Sequence, residues 1–462
     1  MYAPTPQNRR YLSWVVGGVL LLNLGLLLFV QHYWHGDFPF QDEWGYLARL
    51  QQEPQTGFGH YLFDPYHGYY GPVLFLFWYL AYAWTHLDIE AIRYAGACLS
   101  MLSALLLVVL LYRRTSLGGR PLSLVLGYAV FLICSLNHYM AYYQSIEALI
   151  QPFMFGVVLC AVCAGERTLG GRHVLLWSAL CVMLALVGTG VYAPGLAILP
   201  AIAGAQVLLS RRITVSSALL GVIGVLLIFF YIHSAHALAR PAQQASASAA
   251  DLLPAVKMWI GLTGNALFSP HTPRLTVITY CLGLLVLAGQ AWGLMLALRQ
   301  PPERRRALFI PVALSLYNNV VILEIIGARL HTVESGLESS FTARYTFLTL
   351  AGPASLLFYG AMLDGWTGRL RRLATAIFFG MALGTLASEA MILVVLPHYA
   401  EVLAKVRSQL LSLQGDPTPF QQTQMMLTPP MRPLVYPGRL YLQQEHLALY
   451  RDGGAPPPSP EP

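Results

Sequence analysis

The sequence predicts an all-α bundle of about eleven transmembrane helices. Three observations carry that expectation. Hydrophobic residues make up 56% and charged residues only 11% of the 462 residues, against roughly a quarter charged in soluble domains. Apolar runs of bilayer-spanning length recur along the whole chain, and the arginines fall in short clusters between them. The net charge of +7 is therefore distributed as a topology signal, which excludes nucleic acid as the expected partner.

The first apolar run, Tyr11 to Val30, follows Arg9 and Arg10 and has no small-residue cleavage site behind it, so it reads as a retained helix. Further runs lie at 92–112, 121–137, 150–165, 174–190, 194–210, 214–233, 275–298, 307–326, 346–363 and 373–396. The clusters Arg9/Arg10, Arg113/Arg114 with Arg120, Arg167 with Arg172, Arg211/Arg212, Arg299 with Arg304 to Arg306, and Arg369 with Arg371/Arg372 fall at alternate ends of these runs. A single orientation puts all of them, and the N-terminus, on the cytoplasmic side. The aromatic segment Pro72 to Thr85 must then not cross. At about 1.5 Å per residue it reaches about 21 Å, short of a hydrocarbon core near 30 Å, so it belongs in the interface. Gly71-Pro72 is a suitable helix start, since proline needs no amide partner there.

This orientation sends 31–91, 138–149, 234–274, 327–345 and the region after 396 to the outer face, with most of the acids and histidines. The inner loops keep Glu166, Glu303 and Asp364, are short, and carry no GxGxxG or GxxxxGK[ST] phosphate loop. The expected divisions are a transmembrane body over 1–396, a small outer appendage over 397–451 and a disordered tail over 452–462. In the appendage Val402, Leu403, Val406 and Leu410 recur at helical spacing. All six cysteines (Cys98, Cys134, Cys160, Cys163, Cys181, Cys281) lie in or beside apolar runs, as small hydrophobes do. The Cys160/Cys163 pair lacks a second pair or nearby histidines to make a metal site.

Chemistry concentrates in HGDFPFQDEWGY, His35 to Tyr46, just beyond the first span, where Asp37, Asp42 and Glu43 stand beside Trp44 and Tyr46. The pattern continues as QDEWGYLARLQQE, which spaces Asp42, Tyr46, Arg49 and Glu53 along one face of a helix lying flat on the membrane and Trp44, Leu47 and Leu50 along another. A carboxylate at the N-terminal end of that helix is favoured by the helix dipole and is suited to act as a general base; the other reading of Asp42 is a simple N-cap. Among cations expected at the outer face, Arg344, Arg329, Arg274 and Lys257 have the reach and charge to hold a phosphate, and each also fits a snorkelling role. His67 in FDPYHGYYGP suits an interfacial histidine making one backbone hydrogen bond. Glu147, Glu324 and Glu389 lie near or inside apolar runs, where an acid is costly and marks a site or a packing network.

The order of first helix, outer loop opening on QDEW, aromatic juxtamembrane helix, and THLDIEAIRYAGACLSMLSALLLVVLLYRR as the second span resembles the GT-C superfamily of membrane glycosyltransferases, which includes protein O-mannosyltransferases and the lipid A aminoarabinose transferase. Late in the chain ESSFTARYTFLTL resembles a Ser-Arg-Tyr segment of bacterial members, with Ala343 in place of the serine before Arg344 and Tyr345. The resemblance implies a polyprenyl-phosphate-linked sugar donor, a glycan, lipid or protein acceptor at the outer face, and inversion at the anomeric carbon. It implies Asp42 as the base for the acceptor hydroxyl, Glu43 as its assistant or as a ligand, with Asp42, for a divalent cation such as Mg or Mn, Arg344 with Tyr345 as phosphate contacts, and His67 as a contact to the donor phosphate or an acceptor hydroxyl. The expected location is a bacterial inner membrane with a periplasmic active face. The alternative is a transporter or flippase of a lipid-linked glycan, which shares the topology but places polar groups near the midplane.

Overall fold

The computed structural model describes residues 6–33, 37, 43–65, 70–115, 119–136, 145–171, 173–236, 251–269, 273–329, 345–362, 368–412 and 440–448. Those residues form helices and no strand. In chain order they are α1 (Pro6–Tyr33), α2 (Glu43–Thr56), α3 (Phe58–Phe63), α4 (Pro72–Thr85), α5 (Ile89–Arg114), α6 (Gly119–Ile133), α7 (Ser145–Thr168), α8 (Val174–Val191), α9 (Ile198–Ser210), α10 (Val215–His236), α11 (Leu252–Asn265), α12 (Thr276–Arg299), α13 (Pro302–Ala307), α14 (Phe309–Arg329), α15 (Ala351–Met362) and α16 (Gly368–Ser412). The expected tail 452–462 lies outside the described residues.

Eight of the described helical segments are long and apolar enough to cross a membrane: α5, α7, α8, α9 with the 3-10 turn before it, α10, α12, α14 and α16. The other three expected spans fall on shorter apolar stretches. Within α1 it is Trp14–Val30, and in α6 it is Pro121–Ile133. The expected 346–363 span is a turn over 345–350 followed by the 12-residue α15, about 18 Å long at 1.5 Å per residue. Pro72–Thr85 forms one helix over the expected residues, with Pro72 in its first turn.

The helices approach one another through small residues, as spans must when lipid competes for every apolar contact. α5 and α7 run parallel: a Cβ on Gly96 would strike the Ala148 carbonyl, Ser103 Oγ donates to the Pro152 carbonyl at 2.8 Å, and Arg114 pairs with Glu166. α8 returns antiparallel, with the Cys181 thiol against the Ala161 carbonyl and Gly188 against Met154. α11 and α12 cross so closely that a Cβ on Gly264 would collide with the Thr279 carbonyl, and one on Gly283 with that of Ile260.

Contacts sort the bundle into two ends. At one, Arg114 meets Glu166, Arg211 donates to the Leu298 carbonyl at 3.0 Å, and the buried Arg305 donates to the carbonyls of Gln300 and Leu209. Four of the arginine clusters read from the sequence therefore meet, and Arg114 and Arg305 satisfy carbonyls or acids there as well as carrying charge. At the opposite end Glu43 reaches the start of α7, Tyr70 packs edge-on against Tyr231 at 6.1 Å, and Gly190 abuts Pro72 and Val73.

The boundary expected at residue 396 is not a break. α16 is a single helix of 45 residues that passes through Pro397 without interruption. At about 1.5 Å per residue it is about 67 Å long, twice the hydrocarbon thickness, so it must leave the membrane as a helix. Proline removes one backbone donor but does not end a helix whose neighbours hold it, and Leu396, Leu403, Val406 and Leu410 are all buried. A short helical stretch over 440–444 follows, and the Ala448 amide donates to the His86 carbonyl at 3.1 Å.

The α11–α12 crossing yields a test. Gly264→Ala should lower the midpoint of thermal unfolding in detergent by overpacking worth about 1–3 kcal/mol, whereas Gly18→Ala on the open side of α1 should be neutral. Equal midpoints for the two variants would contradict this crossing.

Candidate functional site

The acidic loop is bound to the bundle by its last member. Glu43 opens α2 with no solvent exposure, and its Oε1 accepts from Ser145 Oγ at 2.7 Å and from the Ile146 amide at 3.0 Å. It thereby takes up donors at the start of α7, which no intrahelical carbonyl can reach, and sits at the positive end of that helix dipole. The hydroxyl and amide on Oε1 make this oxygen a helix cap, a role that the sequence does not suggest for Glu43. Among the described residues no three His, Cys, Asp or Glu side chains gather to hold a metal ion. Asp42 lies outside the described residues, yet it is the covalent neighbour of this anchored glutamate.

Tyr46 does not sit on a polar edge of α2. Tyr46 is buried, edge-on to Phe75 at 5.7 Å and to Trp78 at 5.9 Å, because α4 packs its aromatic face over α2. Arg49 stays polar by another route, with its guanidinium 4.1 Å over the Phe75 ring and donating to the carbonyls of Tyr61 at 2.6 Å and His60 at 2.9 Å. Tyr61 donates to the Phe75 carbonyl at 3.1 Å, and burial pushes its phenol well above the usual range. Helices α2, α3 and α4 thus form one aromatic unit on the bundle, with Phe58, Phe63 and Trp84 exposed.

Two further ionisable groups are buried beside Glu43. Glu147 lies two residues past Ser145 and accepts from Gln151 at 3.3 Å. Arg93 is also buried, one turn before the point where Gly96 meets Ala148, and so lies at the level of the start of α7. Sequence reasoning named Glu147 but passed over Arg93. The available signal was an arginine one residue inside an apolar span, where a charge is expensive unless partnered.

Glu324 lies on α14 within electrostatic reach of Tyr231 on α10 and of Tyr317 two turns earlier on α14. The Tyr70–Tyr231 contact joins this group to the segment that leads into α4. Tyr345 is buried at the start of the turn that leads to α15, its carbonyl accepting from the Thr349 amide at 3.3 Å, while nearby Phe347 packs edge-on to Phe155 of α7 at 5.9 Å. Tyr345 is thus packed into the bundle. Lys257 on α11 and Arg274 in the Pro273–Leu275 turn are exposed, and neither makes an ion pair among the described residues. His67, Arg344 and the side chain of Arg329 lie outside the described residues.

Removing the Glu43 cap separates structure from chemistry. Glu43→Ala leaves the Ser145 hydroxyl and the Ile146 amide unpaired and should destabilise the folded protein by about 1–3 kcal/mol in detergent melting, with Glu43→Gln losing less. If Glu43→Gln melted normally and abolished turnover, the capping role would be the wrong one. Comparison of the chain with family models, with curated proteins and with solved structures finds no match.

Proposed function

We propose that this chain is a membrane glycosyltransferase of GT-C type, moving a sugar from a polyprenyl-phosphate-linked donor to an acceptor hydroxyl at the outer face. The observation that carries this reading is the burial of Glu43 on the start of α7. It ties the residue after Asp42 to the wall of the bundle, beside buried Glu147 and Arg93, instead of leaving the acidic pair in bulk water. A lipid-phosphate sugar already carries a good leaving group. The protein must supply a base for the incoming hydroxyl and cations for the departing phosphate. Asp42 is assigned as the base, and Arg344 with Arg329 as the phosphate contacts. Glu324, beside Tyr231 and Tyr70, is assigned to the acceptor or sugar hydroxyls.

One observation favours the second reading, a transporter of the lipid-linked glycan. Trp259 Nε1 donates to Asn319 Oδ1 at 3.0 Å, Asn319 Nδ2 to Gln290 Oε1 at 3.3 Å, and Gln290 Nε2 to Ser355 Oγ at 3.5 Å. This polar chain crosses α11, α14, α12 and α15 near mid-helix, the depth at which transporters hold their cargo.

Asp42→Asn in the full-length, membrane-inserted protein decides between them. Transfer should fall by about 100-fold or more, as loss of a general base requires, with accumulation of the lipid-linked donor. Undiminished transfer removes Asp42 from the mechanism, and donor movement across the bilayer without transfer supports the transporter. Orientation is tested separately: in a chain lacking its own cysteines, Gln55→Cys should react with an impermeant maleimide from outside and Gly170→Cys only after permeabilisation. The reverse pattern overturns the outer placement of the acidic loop.

A further inference from the structure

Both ends of the 37–43 stretch are fastened by side chains from distant parts of the sequence. At its end Glu43 caps α7. At its start the Asp37 carboxylate is gripped by Arg407 of α16: Nε lies 2.9 Å from Oδ1 and 3.0 Å from Oδ2, and Nη2 lies 2.9 Å from Oδ2. Residues 38–42 alone separate the two anchors, so the chain between them can reach at most about 20 Å. A guanidinium fork that meets both carboxylate oxygens fixes direction as well as distance, which a lysine ammonium cannot.

The support behind Arg407 is rigid. Leu403, Val406 and Leu410 are buried around it, so this part of α16 is seated and not a free rod. The same helix continues into the bundle, where Thr385 meets Tyr128 at 3.1 Å and Glu389 accepts from the Leu136 amide at 2.8 Å, both on α6 or just past its end. Beyond α16 the chain comes back to the same region, with Leu442 and Leu447 buried and the Ala448 amide on the His86 carbonyl. The pair itself is partly exposed, and exposed ion pairs add little to folding stability. Its distinctive contribution is geometric.

We infer that Arg407 is a positioning residue: by clasping Asp37 from α16, it fixes the start of the acidic stretch and so limits how far Asp42, five residues on, can reach. This rests on the glycosyltransferase reading for its consequence in catalysis, but the restraint is measurable without it. Glu90, exposed at the start of α5, is the other charge within reach of Arg407, and the charge-swap variants are therefore made in a Glu90→Gln background.

The experiment uses the full chain in detergent, its six cysteines replaced by alanine and Asp42→Cys introduced as the single thiol. Labelling by a charged maleimide should speed up severalfold when Arg407→Ala is added. It should be intermediate with Arg407→Lys and return toward the starting rate in the Asp37→Arg/Arg407→Asp swap. In the otherwise native chain Arg407→Ala should lower kcat by about tenfold or more with little change in KM, because misplacing a reacting group costs turnover and not substrate binding. Equal labelling with and without Arg407→Ala, or a swap that melts normally but does not restore the rate, overturns the restraint. The two failures are distinguishable. If Asp42→Asn retains transfer while labelling still responds to Arg407, the restraint stands and the glycosyltransferase reading falls. If Asp42→Asn abolishes transfer while Arg407→Ala changes neither labelling nor kcat, the restraint falls and the reading stands.

Discussion

A carboxyl group with no solvent exposure must find hydrogen-bond donors, and Glu43 finds them at the first free donors of α7. The end of the bundle where α7 starts depends on this contact. It decides where α2 begins, and α2 carries Trp44, Tyr46, Leu47 and Leu50 into the interior with it. The aromatic side of α4 then closes over Tyr46 through Phe75 and Trp78, and Arg49 is left with ring faces and backbone carbonyls as partners. A single buried acid thus joins the start of α2 to the start of α7, one of the most enclosed helices described.

The interior obeys the constraint that governs any protein in lipid. Apolar contact alone does not favour helix over lipid, so close approach and internal hydrogen bonds must. Glycine supplies the approach where a side chain would collide with a backbone carbonyl, as at Gly96, Gly264 and Gly283. Polar residues supply the bonds: Ser103 to Pro152, Gln206 to Thr168 at 2.6 Å, and the chain from Trp259 to Ser355. The arginine clusters at the other end do more than set orientation. Arg114 and Arg305 hold the ends of α5, α7, α9 and α12 together through Glu166 and free carbonyls, work that a guanidinium with five donors does better than an ammonium.

Much of this was legible beforehand. The helix period and length of the apolar runs located α5, α8, α10 and α12 to within a few residues, and the 14 residues from Pro72 marked a helix too short to cross. The misreadings share a cause. Tyr46 was placed on a polar edge because helical spacing describes a helix in isolation, and it could not register that α4 would cover that edge. The apolar run ends at residue 396, which composition alone marks as the end of the span, whereas packing on both sides of Pro397 keeps α16 whole.

What the sequence by itself determined is the class of solvent the chain folds in, the helical character of its elements and the grouping of its arginines, since each follows from local composition and the bilayer's thickness. Only the tertiary structure decided which acids are buried and what holds them. Glu43 and Asp37 are near neighbours with similar side chains, yet one meets residues about a hundred positions later and the other an arginine 370 positions away. Pairings at such separations leave no periodic trace in a single chain, because they are set by which helix ends the packed bundle brings together.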